Sequence, residues 1–188
     1  MGTTGWIILG IIVLAVIYVI FLYNRLVALR QTVNQSWSDI SVQLKQRHDL
    51  VPNLVETVKG YATHERATLE AVTAARNAAV AAQGPHAQAQ AENMLTGALR
   101  QLFALAEAYP DLKANQNFLQ LQSELADLEN KIAASRRFFN NAVQEYNTAI
   151  EQFPAVLIAR NMNFQSREFF ELDEGERAAV QAPPQVKF

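Results

Sequence analysis

The chain contains no cysteine, so disulfide staples, thiolate zinc sites and thiol nucleophiles are excluded, and the redox character of its compartment is unmarked. Glycine (7) and proline (6) are scarce among 188 residues, too few for the many turns of a β-sandwich. Charge of one sign is lacking as well. The formal net charge is −2, which supplies no basic footprint for a nucleic acid. No P-loop, GxGxxG or GxSxG string occurs. The histidines His48, His64 and His86 form no HxxxH or HExxH pair that would point to a metal. No cofactor is implied, and the chain reads as a non-enzyme.

What is present is one long apolar run. Met1 to Asn24 carries no charged side chain. Within it stand Trp6, Ile7, Ile8, Leu9, Ile11, Ile12, Val13, Leu14, Val16, Ile17, Tyr18, Val19, Ile20, Phe21 and Leu22. A helical rise of about 1.5 Å per residue takes Gly5 to Tyr23 across the hydrocarbon thickness of a bilayer. Trp6 at one end, with Tyr18 and Tyr23 toward the other, fits interfacial anchoring. A cleaved signal peptide would show a basic leading region and a small-residue cleavage site, and neither is visible. A buried core helix apolar on every face would need a large protein around it. The run reads as a permanent single transmembrane helix. Arg25, Arg30, Lys45 and Arg47 follow the span. By the positive-inside rule the amino terminus is expected outside and the following domain in the cytoplasm.

Beyond the span the pattern is helical throughout, punctuated at Pro52, Gly84-Pro85, Pro110 and Pro154. Proline is costly inside a helix, so these positions are expected boundaries or kinks. Leu26, Leu29, Val33, Trp37, Ile40 and Leu44 recur at helical spacing, with no breaker between them and the span. A rod running from the membrane into the domain is therefore expected. A second segment, about 51–83, carries Leu54, Val55, Val58, Tyr61, Ala62, Leu69 and Val72. A third, about 86–109, carries Leu95, Leu99, Leu102, Phe103 and Ala106. The fourth, about 113–152, has the clearest seam: Phe118, Leu121, Leu125, Leu128, Ile132, Ser135, Phe139, Ala142, Tyr146 and Ile150. Steps of three and four over that length make a heptad seam that needs partners along it. The expected fold class is all-α: a transmembrane helix continuous with an antiparallel up-down four-helix bundle. The division is an anchor over 1–24, a helical domain over 25–153 and an extended tail over 154–188.

Two clusters invite a functional reading. Arg47-His48-Asp49 precedes Leu50-Val51-Pro52-Asn53. A partner-docking corner is possible there, but Asp49 or Asn53 capping a new helix with Pro52 in its first turn is favoured. An enzyme would require folding to bring His48, Asp49 and His64 together. Arg136-Arg137 beside Phe138-Phe139 resembles a basic-aromatic surface, yet Phe139 falls on the seam and the arginines on a solvated face. Phe169 and Phe170 in the acidic tail, with the final Phe188, are candidate contacts to a groove of the chain itself or of another protein.

Long strings then carry a resemblance. YNRLVALRQTVNQSWSDISVQLKQRHDLVPNLVETVKGYATHE, AEAYPDLKANQNFLQLQSEL and NKIAASRRFFNNAVQEYNTAIEQFPAVLIA, with FFE and PPQVKF, resemble the bacterial LemA family in order and over essentially the whole chain. The Ala/Gln-rich region around Gly84 and the string ARNMNFQSREFF depart from it. The resemblance implies an up-and-down helical bundle tethered by one amino-terminal membrane helix, with no established enzymatic activity and no catalytic residues. It also implies envelope relatives, one linked to forming intracellular membrane organelles and some encoded near membrane metalloproteases. The expected role is a non-catalytic scaffold that self-associates to organise or shape the membrane, with the lipid bilayer and copies of itself as partners. An adaptor or regulator of a membrane metalloprotease or other envelope protein is the alternative.

Overall fold

The structure, a computed structural model, describes residues 2–171. Among them all regular structure is helical: α1 (Thr3–Lys59), α2 (Arg66–Ala81), α3 (Pro85–Ala106), α4 (Pro110–Lys113), α5 (Gln116–Glu151) and α6 (Ala155–Asn161). The chain forms two compact units. One is made by residues up to Asp39 with Arg137–Arg167, the other by Ile40–Arg136 with residues from Glu168 on.

Helix α1 passes through Pro52 without ending, which corrects the boundary expected there. Proline has no N–H, so the carbonyl four residues earlier, that of His48, loses its helical donor. Arg76 Nε of α2 donates to that carbonyl instead, at 3.2 Å. The break comes later, at Gly60-Tyr61, where Gly60, Tyr61 and Ala62 N–H groups turn back onto Glu56 and Val58 carbonyls. Tyr61, expected on an apolar stripe, is exposed, and its hydroxyl accepts from Asn115 Nδ2 at 2.9 Å. Gly84-Pro85 makes the next turn as its residues predict. Gly84 sits at φ 84°, a region side chains disfavour, and Pro85 opens α3 with its missing N–H unneeded.

In the second unit Val51, Leu54 and Val58 of α1, Leu69, Val72 and Ala79 of α2, Leu95, Leu99 and Leu102 of α3, and Phe118 and Leu125 of α5 form one apolar core. Alanines of α2 and α3, Ala79, Ala89 and Ala91, are buried, so these two helices approach closely where the sequence is Ala-rich. Leu112 of the short α4 is buried in the same core. On α5 the expected seam is the buried face along both units, from Phe118 and Leu125 to Phe139, Tyr146 and Ile150.

The first unit packs differently. Trp37 of α1 meets Phe139 of α5, ring centroids 5.4 Å apart. The stretch from 154 onward, expected to be extended, begins as α6 instead, because Ala155 and Ala159 find a buried face there. Its end is a Schellman turn: Asn163 adopts φ 55°, and Phe164 N–H donates to Ala159 O at 3.0 Å. That turn drives Phe164 into the unit, edge-on to Tyr23 with centroids 5.8 Å apart and under the Arg30 guanidinium at 5.0 Å. Tyr146 Oη donates to Gln165 O at 3.0 Å, and the Asn147 amide pairs with both Arg167 N and Arg167 O at 2.8 and 2.9 Å. An irregular strap is thus fixed to α5 by side-chain hydrogen bonds in place of a sheet partner.

The apolar run of α1 is the opposite case. From Trp6 to Phe21 its large side chains are exposed, while Leu22, Leu26 and Val33 beyond it are buried. Among the described residues this is the one helix long and apolar enough to cross a membrane, with a mean hydropathy of 2.9 over its most apolar 18 residues. The residues following it are built into the first unit, so the run belongs to the folded protein and gives it a single membrane pass.

Candidate functional site

Arg47 occupies a place on the apolar stripe of α1, in the series Ile40, Leu44, Arg47, Val51, Leu54, Val58. On α3, Gln88 and Glu92 likewise continue the series Leu95, Leu99, Leu102. Polar side chains at core positions must meet one another or destabilise the fold. They meet. Arg47 is 2% exposed, Glu92 4% and His48 7%.

The guanidinium of Arg47 is the hub. Its Nη2 donates to Glu92 Oε2 in a close ion pair. Its Nη1 donates to Glu129 Oε2 of α5 at 2.6 Å and to Thr96 Oγ1 at 3.1 Å. The other Glu92 oxygen, Oε1, lies 2.6 Å from His48 Nε2 and accepts from Gln88 Nε2 at 2.8 Å. Gln88 also donates to Ala79 O at 2.9 Å, tying α3 to α2. Arg47 Nε has no acceptor among the described residues. Burial pushes the Glu92 carboxyl up, but the hydrogen bond from His48 and the Arg47 charge and hydrogen bond outweigh it. They hold its pKa below the ordinary 4.5. Glu92 is therefore an ionised carboxylate saturated with donors. Such a group is a poor base and a poor metal ligand, because its lone pairs are already committed. Its evident work is to join α1, α2 and α3, while Glu129 brings in α5.

The residues singled out in sequence are not brought together as an enzyme would require. His48 is in this cluster, but its neighbour Asp49 points away, exposed and paired with Lys45 Nζ at 2.7 Å. His64 is exposed in the turn before α2, and His86 is half-buried in the first turn of α3. No group of three or more His, Asp or Glu placed to hold a metal occurs among the described residues. Nor is Asp49 or Asn53 a helix cap: both lie inside α1, where the Asn53 carbonyl accepts from Thr57 Oγ1. Phe139 is core and Phe138 is exposed, as the seam requires. Of the tail aromatics, Phe170 is 2% exposed within its own chain and Phe169 half-buried. Phe188 lies outside the described residues. Glu92, Gln88, Thr96 and Glu129 stand outside every motif that the sequence displays. The signal was in the sequence: opposite charges each standing on an apolar stripe.

A shallow groove of about 300 Å³ opens beside this cluster, with Arg47 and Glu129 at its polar edge and Leu99, Phe103 and Leu125 among its walls. Protein LemA of Metamycoplasma hominis is 27% identical over 161 residues, covering 84% of this chain and 72% of that protein. Magnetosome protein MamQ of Magnetospirillum gryphiswaldense is 25% identical over 174 residues, 79% of this chain and 64% of that one. Magnetosome protein MamQ 1 of Paramagnetospirillum magneticum is 24% identical over 175 residues with the same coverages. The chain thus spans less than two thirds of the length of these MamQ proteins. The family model described as LemA matches residues 36–188 and so takes in the whole Arg47–Glu92–Glu129 cluster, and the chain belongs to the LemA family.

Proposed function

We propose that the chain is a non-catalytic, membrane-anchored scaffold whose copies associate to organise or shape a patch of bacterial membrane. The observation that carries this reading is α1 itself. The apolar run and the packed residues Leu22 to Trp37 belong to one uninterrupted helix, so no hinge separates the span from the unit built on it. A unit fixed to its membrane helix transmits its packing to the bilayer, which a flexibly tethered one does not. The donor-saturated Glu92 supports the non-catalytic part, since the densest polar cluster is consumed in holding helices together. Relatives named as magnetosome proteins fit a role at a membrane.

The test is the mass of the full chain in nanodiscs wide enough for several copies. Discrete multi-copy particles are expected, and single copies at high protein-to-disc ratio would reject self-association. We place the amino terminus outside an inner membrane and the helical domain in the cytoplasm. In intact cells a cysteine at Thr3 should then react with an impermeant maleimide while one at exposed Val42 does not. The groove beside Arg47 favours a second reading, an adaptor that holds a membrane metalloprotease or other envelope protein. It predicts a distinct co-purifying partner that is lost on Arg100→Glu, at an exposed position of the groove, whereas the scaffold reading predicts self-contacts only.

A further inference from the structure

The first unit carries a second apolar surface that the span does not account for. Phe153 is 81% exposed, Leu157 55% and Met162 58%. They lie at the start, middle and end of the α6 corner. Ala155 and Ala159, one turn apart, face the protein, so Leu157 between them falls on the opposite side. α6 thus has a small-residue face that seats it tightly and a bulky face that nothing among the described residues covers.

Helix geometry sets the level of this patch. Trp37 of α1 and Phe139 of α5 are in ring contact. Tyr146 is tied to Gln165, whose neighbour Phe164 packs on Tyr23 and Arg30. So α5 runs back toward the span as it proceeds from Phe139 to Glu151. From Phe139 to the end of α5 at Glu151 the rise is about 18 Å, and the same rise along α1 from Trp37 reaches Arg25. Phe153, two residues past Glu151, therefore stands near the level of Arg25, just beyond the end of the apolar run. Arg25 on α1 and Arg160 in the last turn of α6 are exposed at this same end.

We infer that the α6 corner is a second membrane contact: Phe153, Leu157 and Met162 enter the lipid interface beside the span, with Arg25 and Arg160 at the level of the phosphates. Aromatic and aliphatic side chains flanked by arginine are what an interfacial element presents to lipid. A second copy of the chain is the poorer occupant, because three side chains fall well short of the roughly 800 Å² per partner of a stable interface. Two attachments, the span and the corner, would fix the tilt of the unit on the bilayer as well as its height. The inference rests on the span crossing the membrane and is independent of self-association.

The absence of native cysteine allows an environment-sensitive fluorophore to be placed at single positions. Phe153→Cys, Leu157→Cys and Met162→Cys report the corner, Phe138→Cys reports an exposed site about 20 Å from the end of α5, and Leu14→Cys reports the span. The full chain goes into nanodiscs of mixed zwitterionic and anionic lipid, at one copy per disc, with or without lipids spin-labelled near the headgroup. Labels at 153, 157 and 162 are expected to emit at shorter wavelength than the label at 138. They should be quenched by the labelled lipid several-fold more strongly than it is. Long-wavelength emission at the corner with iodide quenching equal to that at 138 would overturn the inference while leaving the span intact. So would shortened emission that the labelled lipid does not quench, since protein would then be the cover. A label at 14 beyond the reach of spin-labelled lipid tails would overturn the anchor and this inference together.

Discussion

Two stretches of the same helix invert the usual rule of inside and outside. Between Trp6 and Phe21, α1 exposes its large apolar side chains on all faces; between Ile40 and Val58 it buries an arginine on its apolar stripe. In each stretch the exception identifies the surroundings. Apolar side chains left uncovered on every face require lipid, whereas a guanidinium at 2% exposure requires an anionic partner from another helix. Hydropathy alone ranks the first stretch as core and the second as surface near Arg47, and it errs on both.

The comparison breaks most sharply at Glu92. Replacing it with alanine leaves Arg47 and His48 buried without their principal acceptor, a change worth about 3–5 kcal/mol for a buried pair deprived of one partner. Urea unfolding of the full chain in detergent, followed by circular dichroism, should show the loss. Replacing Arg47 and Glu92 together by methionine removes both charges and fills the space, and should recover most of it. If the double variant were as unstable as the single one, the cluster would be doing more than joining helices.

The next effect separates the two stretches directly. Leu14→Arg puts a charge at the middle of the span, where insertion is opposed by about 3 kcal/mol. Val42→Arg puts the same charge on an exposed position of the same helix (Val42 is 53% exposed) and should change stability by less than about 0.5 kcal/mol. Carbonate extraction of membranes from cells expressing each variant reads the difference. Equal retention of both would remove the argument that exposure of the first stretch means lipid.

A pH titration sharpens the second stretch. The Glu92 pKa is held below its ordinary 4.5 in the folded chain. Its ionisation therefore contributes stability in full above that value, and the contribution is lost as pH falls from there through the lower folded pKa. The unfolding midpoint of the wild type should fall steeply in this acid window. Glu92→Gln, less stable at neutral pH, should show a flatter profile there. Parallel profiles would assign the acid sensitivity to other carboxylates.

How much of this could be read from the sequence follows from the range of the interactions involved. The span, the α5 seam and the Gly84-Pro85 turn depend on neighbours a few residues away, so periodicity and backbone chemistry disclose them. Arg47 and Glu92 are legible only in part. Each interrupts an apolar stripe, which marks it as a charge in search of a partner, but the pairing joins residues 45 apart in sequence. α6 escapes for a similar reason: seven residues are too few to show a period, and its helicity depends on the face that receives Ala155 and Ala159. Pro52 misleads most, because proline ordinarily ends a helix and the group that compensates for it stands on α2.

That compensation gives the smallest effect and the most specific test. The His48 carbonyl lacks its helical donor because residue 52 is proline, and Arg76 Nε replaces it. Arg76→Ala should cost about 1 kcal/mol, the usual net worth of one hydrogen bond. Pro52→Ala restores an N–H four residues beyond His48, so in that background the same Arg76→Ala change should cost measurably less. The coupling between positions 52 and 76 is the quantity of interest, and a double-mutant cycle isolates it from the other consequences of each substitution. A coupling of zero would mean that the Arg76 contact is incidental and that α1 passes Pro52 on core packing alone. A positive coupling would show that a donor from α2 carries the helix of the membrane span past its proline and on to Lys59.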